Sequence, residues 1–128
     1  MTVEHIPIET SLGVLFGRDC IFLDAVSFSD VDRVLHIEGE IGGDRLANGA
    51  GNVWIPYELK FINVLWYQQR DLDSDWTWEA SFEERKNTPA LRRFPTAKHH
   101  YFVQTYDDIF DVLCESFEFK TGMERVQA

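Results

Sequence analysis

The stretch RVLHIEGEI, at residues 33–41, alternates between apolar and polar side chains. Its members separate onto two faces, with Leu35, Ile37 and Ile41 on one and His36, Glu38 and Glu40 on the other. Because side chains of an extended chain point alternately to opposite sides, this period of two indicates a β-strand with one buried face. We therefore expect a protein built from sheets, with the apolar face of this strand in its core.

The segments around this stretch extend the β pattern. Residues 20–29, CIFLDAVSFS, are apolar with few helix formers and predict a second strand, and the turn at residues 30–32 predicts a hairpin. Residues 13–17, GVLFG, predict a shorter strand between turns. The glycine-rich residues 42–52 lack the lysine and the following helix of a phosphate-binding loop, so we expect them to connect antiparallel strands.

Residues 53–69 alternate strongly, but they are too many for one typical strand. We expect a break, bend or bulge near Pro56 or Asn63. Proline cannot donate a hydrogen bond to a strand ladder, so we expect Pro56 at an edge or a bulge. Farther along, another strand is predicted from alternating large side chains: Trp76, Trp78 and Phe82.

Two short helices are predicted in the C-terminal half. Thr88 followed by Pro89 is typical of an N-cap and a first helical residue, so residues 90–94, ALRRF, should form one short helix. Thr105 and Asp108 have the spacing of a capping box, with Asp107, Asp108 and Asp111 as helix-start residues; a pair of catalytic carboxylates that includes Asp111 is the alternative. The apolar residues of the second helix follow at helical spacing: Ile109, Val112 and Leu113.

The remaining C-terminal segments are typical of strands. Residues 99–105, HHYFVQT, are β-branched and aromatic, and Phe117 and Phe119 alternate with polar residues. The fold class is therefore predicted to be mainly β: an antiparallel β-sandwich or barrel of roughly six to eight strands, with one or two short helices near the C-terminus. An α+β arrangement is the alternative. A chain of 128 residues is expected to form a single globular domain over residues 1–128.

The charge of the chain restricts its partners. The formal net charge is −10, which repels nucleic acid phosphates and attracts a basic protein partner. Residues 85–98 are an exception to the acidic excess of the chain, because they contain five basic residues and no acid. This basic segment is either a solvated stretch near a helix end or a site for an anion or a partner, with Arg92 and Arg93 as its candidates together with His99 and His100.

The cysteines and the apolar runs suggest a location. Cys20 and Cys114 lie far apart without a C-x-x-C pattern, which is typical of free core residues in a reducing compartment. Cys114 follows the predicted helix, at the wrong end for a stabilised thiolate, so we expect it in the core. The first residues lack a leader pattern, and no run is long enough to span a membrane. We expect a cytoplasmic protein without membrane partners.

Three alternating aspartates form the pattern most like a metal site: Asp71, Asp73 and Asp75. They match positions 1, 3 and 5 of a calcium loop, but Trp76 replaces the glycine and Phe82 replaces the final glutamate, so an EF-hand is excluded. Irregular calcium binding and a solvated turn are both left open. His99 and His100 are neighbours on a predicted strand and point to opposite faces, so they cannot readily bind one metal. No cofactor is predicted.

Trp76 and Trp78 fall on the same face of the predicted strand, where they serve either a core or a binding surface. No catalytic motif occurs. The leading functional hypothesis is a non-catalytic cytoplasmic module that binds protein, either an adaptor or an inhibitor that resembles, in charge alone, small bacterial immunity proteins against basic toxins. The alternatives are a small-molecule-binding or calcium-binding β-domain, including an enzyme built on it, and a homo-oligomer.

Overall fold

The computed structural model describes residues 2–17, 19–42, 54–71 and 80–121. These residues form eleven strands and one short helix. In chain order the elements are β1 Glu4–Pro7, β2 Glu9–Thr10, β3 Gly13–Val14, β4 Ile21–Ser29, β5 Val34–Gly42, β6 Trp54–Ile62, β7 Trp66–Asp71, β8 Phe82–Lys86, α1 Pro89–Arg93, β9 His99–Gln104, β10 Asp108–Cys114 and β11 Ser116–Thr121. The predicted strand over residues 13–17 is shorter than expected, and the part of the Trp76–Phe82 strand before residue 80 lies outside the described residues.

Two antiparallel sheets face each other. The five-stranded sheet has the order β1-β8-β9-β10-β7, and the four-stranded sheet has the order β11-β6-β5-β4. Aromatic rings from both sheets meet between them: Phe61 of β6 lies 6.3 Å from Phe82 and 5.8 Å from Tyr101, measured between ring centroids. The predicted mainly β, antiparallel fold is confirmed. The described strands form a sandwich-like arrangement and do not close into a barrel.

The hairpin predicted from the alternating stretch is confirmed. β4 pairs with β5 from Ile21↔Ile41 to Ser29↔Val34, with a bulge between Leu23 and Ala25. The apolar face of β5 enters the core, where Leu35, Ile37 and Ile41 have no exposed surface. The outer face of the four-stranded sheet therefore carries the polar residues of β5.

The break predicted near Asn63 is also confirmed. Asn63 has a φ of 56°, in the left-handed region, and it separates β6 from β7. The long alternating stretch thus gives one strand to each sheet. Pro56 lies within β6 opposite Glu40, and β11 ends opposite Tyr57, so among the described residues Pro56 has a strand neighbour on one side.

The short helix after Thr88 forms as predicted. Thr88 is the N-cap of α1, and its hydroxyl oxygen accepts a hydrogen bond from the Leu91 backbone N–H at 3.2 Å. Pro89 occupies the first turn, where its missing N–H costs nothing. Arg92 and Arg93 occupy the last turn, where positive charge suits the helix dipole.

The helix predicted after Thr105 is wrong, because residues 108–114 form strand β10. β10 is paired on both sides, with β9 and with β7, and both of its faces are buried. A strand covered on both faces carries apolar residues at every spacing, including the helical one. The contact between Thr105 and Asp108 does exist, but it closes a turn between β9 and β10: the Asp108 N–H donates to the Thr105 hydroxyl at 3.0 Å. Asp107, Asp108 and Asp111 are therefore not helix-start residues.

Candidate functional site

A chain of buried polar groups crosses the outer face of the five-stranded sheet. His100 Nε2 lies 2.8 Å from Asp111 Oδ1, and the guanidinium of Arg70 donates to Asp111 Oδ2 at 2.8 Å. On the other side of the ring, His100 Nδ1 lies 2.9 Å from the Thr88 hydroxyl. The strands β7, β9 and β10 and the N-cap of α1 are thereby connected by side chains.

The hydrogen-bond partners determine where the protons lie in this polar network. A carboxylate only accepts, so His100 Nε2 carries a hydrogen and donates it to Asp111. Burial raises the pKa of Asp111, but the hydrogen bonds and charges of His100 and Arg70 outweigh burial and hold this pKa below its usual value. Asp111 is therefore an anion at neutral pH, compensated by its two neighbours.

Hydroxyl, imidazole and carboxylate follow one another as in a nucleophilic hydrolase. However, Thr88 is only 4% exposed, and its hydroxyl already caps α1. The depression beside α1 is lined by Trp66, Pro89, Ala90, Arg93 and Phe94. None of the residues of the hydrogen-bonded polar network lines it. Because a nucleophile must reach its substrate, burial of the Thr88 hydroxyl disfavours that role, and the hydrogen bonds of this network connect the helix to the sheet.

A second buried charge cluster lies on the same outer face. The Glu83 carboxylate has no exposed surface, and it accepts hydrogen bonds from Arg85 Nε at 2.7 Å and contacts His5 Nδ1 at 2.7 Å. The Arg85 guanidinium stacks on the Phe102 ring, 3.6 Å from its centroid. This cluster joins β1, β8 and β9.

The outer face of the four-stranded sheet is different, because it exposes aromatic side chains. Phe22 of β4 contacts the Trp54 ring edge to face, with centroids 5.1 Å apart, and stacks with Tyr106 at 5.2 Å. Trp54 is 53% exposed and Tyr106 is 42% exposed. Gly42 lies directly opposite Trp54 and has no side chain to separate Trp54 from Phe22. We call Phe22, Trp54 and Tyr106 the aromatic cluster.

Exposed acidic residues neighbour members of the aromatic cluster, either across the strand ladder or along the chain. Glu40 is exposed and lies directly opposite Phe22 in the β4–β5 ladder. Asp24 follows Phe22 along β4, Asp107 follows Tyr106, and both are exposed. An apolar centre with a charged rim is the composition of many protein-binding surfaces.

One group of side chains on this face has the composition of a metal site. Among the residues that the structure describes, His36, Glu38 and Glu58 bring one ligand atom each to within 4.8 Å of one another. They lie on neighbouring strands β5 and β6, farther along the outer face from the aromatic cluster.

The candidate metal-binding and tryptophan residues predicted from the sequence are only partly within the described residues. Asp71 ends β7 and lies opposite Asp108, in an open depression of about 550 Å³ with Gln69, Arg70 and Asp107. The other residues of the predicted calcium and tryptophan sites lie outside the described residues: Asp73, Asp75, Trp76 and Trp78.

The basic and histidine candidates do not form one site. Arg92 and Arg93 are exposed on α1, and Arg92 donates to the Asn87 carbonyl at 3.1 Å. His100 is buried in the polar chain described above, whereas His99 pairs with Glu84 at 2.7 Å and stacks on Tyr101. The two histidines therefore take separate partners.

The two cysteines are free and buried, as predicted. Burial raises the pKa of Cys114 to about 12, so its thiol stays protonated at neutral pH. A protonated, buried thiol is not a nucleophile.

Comparisons with protein-family models, with curated proteins and with solved structures found no match to this chain. The described part of the chain contains no helix long and apolar enough to cross a membrane. The function is therefore inferred from the side chains on the surface of the described residues.

Proposed function

We propose that the protein is a non-catalytic module that binds a positively charged protein through the aromatic cluster and its acidic rim. The observation that carries this proposal is the exposure of Trp54 and Tyr106 on either side of Phe22. Large aromatic side chains held in contact at a surface are typical anchors of protein interfaces. Either an adaptor or an immunity-type inhibitor of a basic toxin would use such a surface.

Charge favours a basic partner over a second copy of this chain. Each copy carries a formal net charge of −10, so two copies repel each other at low ionic strength. The acids beside the aromatic cluster, Asp24, Glu40 and Asp107, would meet lysine or arginine side chains of the partner. The two cysteines are free and buried, which favours a reducing compartment such as the cytoplasm as the place where the protein functions.

Replacing Trp54 by serine is expected to weaken partner binding strongly. Random peptides displayed on phage and selected on the full-length protein should be rich in lysine or arginine with an apolar anchor. Their affinity for the Trp54→Ser variant should fall about thirty-fold, the cost of about 2 kcal/mol that an aromatic anchor typically carries. Fluorescence polarisation of the selected peptides measures this loss.

Val31→Ser is the matched control, because Val31 is 92% exposed in the hairpin turn and belongs to no aromatic contact. This variant should bind the peptides as the wild type does, and binding should weaken as salt is added. Selected peptides without basic residues, or peptides that bind the Trp54→Ser variant unchanged, contradict the proposal. A wild-type dimer that Trp54→Ser separates would instead make a second copy the occupant, and would also overturn it.

A further inference from the structure

We propose that His36, Glu38 and Glu58 form a binding site for a divalent transition metal on the outer face of the four-stranded sheet. This inference goes beyond the binding of a protein and uses none of the aromatic residues. It depends on the placement of the three side chains, on a ring nitrogen without a hydrogen bond and on two carboxylates that form no ion pair with lysine or arginine among the described residues.

The strand ladder places the three ligands together. His36 and Glu38 are two residues apart on β5 and so share a face, and Glu58 lies directly opposite Glu38 on β6. Their ligand atoms lie within 4.8 Å of one another. Nitrogen and oxygen ligands bind zinc at about 2.0–2.2 Å, which separates them by about 3.5 Å in a tetrahedral site. Small rotations of the two flexible glutamate side chains close that difference.

The His36 ring points a nitrogen without a partner into the group. His36 Nε2 is shielded from solvent and has no hydrogen-bond partner. The nearest carboxylate oxygen, Oε1 of Glu58, lies 4.0 Å away, which is too far for a hydrogen bond. A buried nitrogen without a hydrogen-bond partner costs free energy. A metal ion bound between the ring and the carboxylate would give His36 Nε2 a partner.

The two carboxylates form no ion pair with a lysine or arginine among the described residues. Glu38 and Glu58 face each other directly across the ladder, where like charges are destabilising. Lys60 and Lys120 lie opposite His36 and Glu58, yet neither forms an ion pair among the described residues. A bound cation would replace the repulsion by attraction at the centre of the group.

The ligand types select the class of metal. One imidazole with two carboxylates suits zinc, manganese or iron(II), whereas calcium and magnesium prefer ligand sets of oxygen alone. The side chains of His36 and Glu58 are 30% and 34% exposed, so coordination positions are left open to water or to a further ligand.

Titration calorimetry of the full-length protein with Zn²⁺, Mn²⁺ and Ca²⁺ tests this site. The wild type should bind one equivalent of Zn²⁺ or Mn²⁺, and Ca²⁺ should bind at least tenfold more weakly. His36→Gln and Glu38→Gln should each weaken Zn²⁺ binding at least tenfold. Glu118→Gln is the matched control: it removes the same charge from the same face of the sheet, outside the group, and should leave the affinity unchanged.

A second readout separates ligation from a structural role. In the presence of a chelator, Glu38→Gln should melt at or above the wild-type temperature, because it removes the repulsion from Glu58. With Zn²⁺ added, only the wild type and Glu118→Gln should gain thermal stability. Folded wild type that binds no transition metal overturns the proposal. Equal weakening by Glu118→Gln also overturns it, since that result would indicate attraction of any cation to an acidic surface.

Discussion

Replacing Gly39 by alanine is expected to destabilise the protein by about 3 kcal/mol or more, the upper range for overfilling a packed site. A Cβ atom built on Gly39 would overlap the carbonyl oxygen of Phe22 and would lie 2.9 Å from its carbonyl carbon. These are backbone atoms of β4, which cannot rotate away as a side chain can. The close approach of the two strands therefore requires glycine at this position.

The β-bulge explains why this approach is so close. The ladder between β4 and β5 shifts between Leu23 and Ala25, directly after Phe22. The Phe22 carbonyl also accepts a hydrogen bond from the Tyr57 hydroxyl at 3.1 Å. A displacement of this carbonyl would disturb the buried Tyr57 and the base of the aromatic cluster, so stability and partner binding should fall together.

Urea unfolding followed by tryptophan fluorescence measures the effect of Gly39→Ala. In an ordinary strand position the same change would stabilise, because alanine loses less conformational freedom than glycine. Ser27→Ala, on the exposed part of β4, should change the free energy of unfolding by less than about 0.5 kcal/mol. A Gly39→Ala protein as stable as the wild type would contradict the close approach of β4 and β5 at this position.

Replacing Asp111 by asparagine is expected to cost about 3 kcal/mol, the lower range for removing one partner of a buried ion pair. The side chain of Asp111 is 9% exposed and compensates Arg70 while it accepts from His100. Asparagine keeps one acceptor oxygen for one partner but presents N–H groups to the other. The Arg70 charge would then lose its buried counterion. The hydrogen-bonded connection from Asp111 through His100 to Thr88, the N-cap of α1, would also be weakened.

The pH dependence identifies the Asp111 charge as the cause. The pKa of Asp111 is lowered in the folded protein, so its contribution is complete above the unfolded-state pKa of about 3.9 and is lost as the pH falls through the folded-state pKa. The difference in unfolding free energy between wild type and Asp111→Asn should therefore be large at pH 6 and shrink in more acidic solution. Denaturant unfolding of both proteins across this pH range provides the measurement.

Glu115→Gln provides the comparison for an exposed pair. Glu115 accepts from Asn63 and Lys98, which lower its pKa, but these contacts are exposed to solvent. Exposed ion pairs contribute little, so this variant should unfold like the wild type. A difference between wild type and Asp111→Asn that does not change with pH would rule out the buried ion pair.

Local patterns in the sequence predicted the strand with one buried face, the turn and the break beside it and the helix cap. The alternation of residues 33–41, the turn before them, the break at Asn63 and the cap at Thr88 are all present in the structure. In each case a local rule, such as strand period or helix capping, agrees with the final fold. β10 was misread because a strand buried on both faces loses its period of two, and the spacing of its apolar residues then fits a helix equally well.

The candidate surfaces could not be predicted, because they depend on pairing between distant parts of the chain. The sequence places His36 and Glu38 on one polar face, but Glu58 joins them only through the register of β5 with β6. Trp54 and Tyr106 are separated by many residues and meet only at Phe22. All of these residues except Tyr106 fall on predicted strands, whereas Tyr106 follows the cap of the helix that was wrongly predicted; the register between the strands cannot be read from the sequence.

The most direct test of the proposed binding surface is a titration of ¹⁵N-labelled protein with the tightest basic peptide from the selection, followed by two-dimensional NMR. The largest shifts should fall on the backbone amides of Phe22, Glu40 and Tyr106 and on the indole N–H of Trp54. Shifts centred on β8 and β9, with the signals of Phe22 and Trp54 unchanged, would contradict binding through the aromatic cluster.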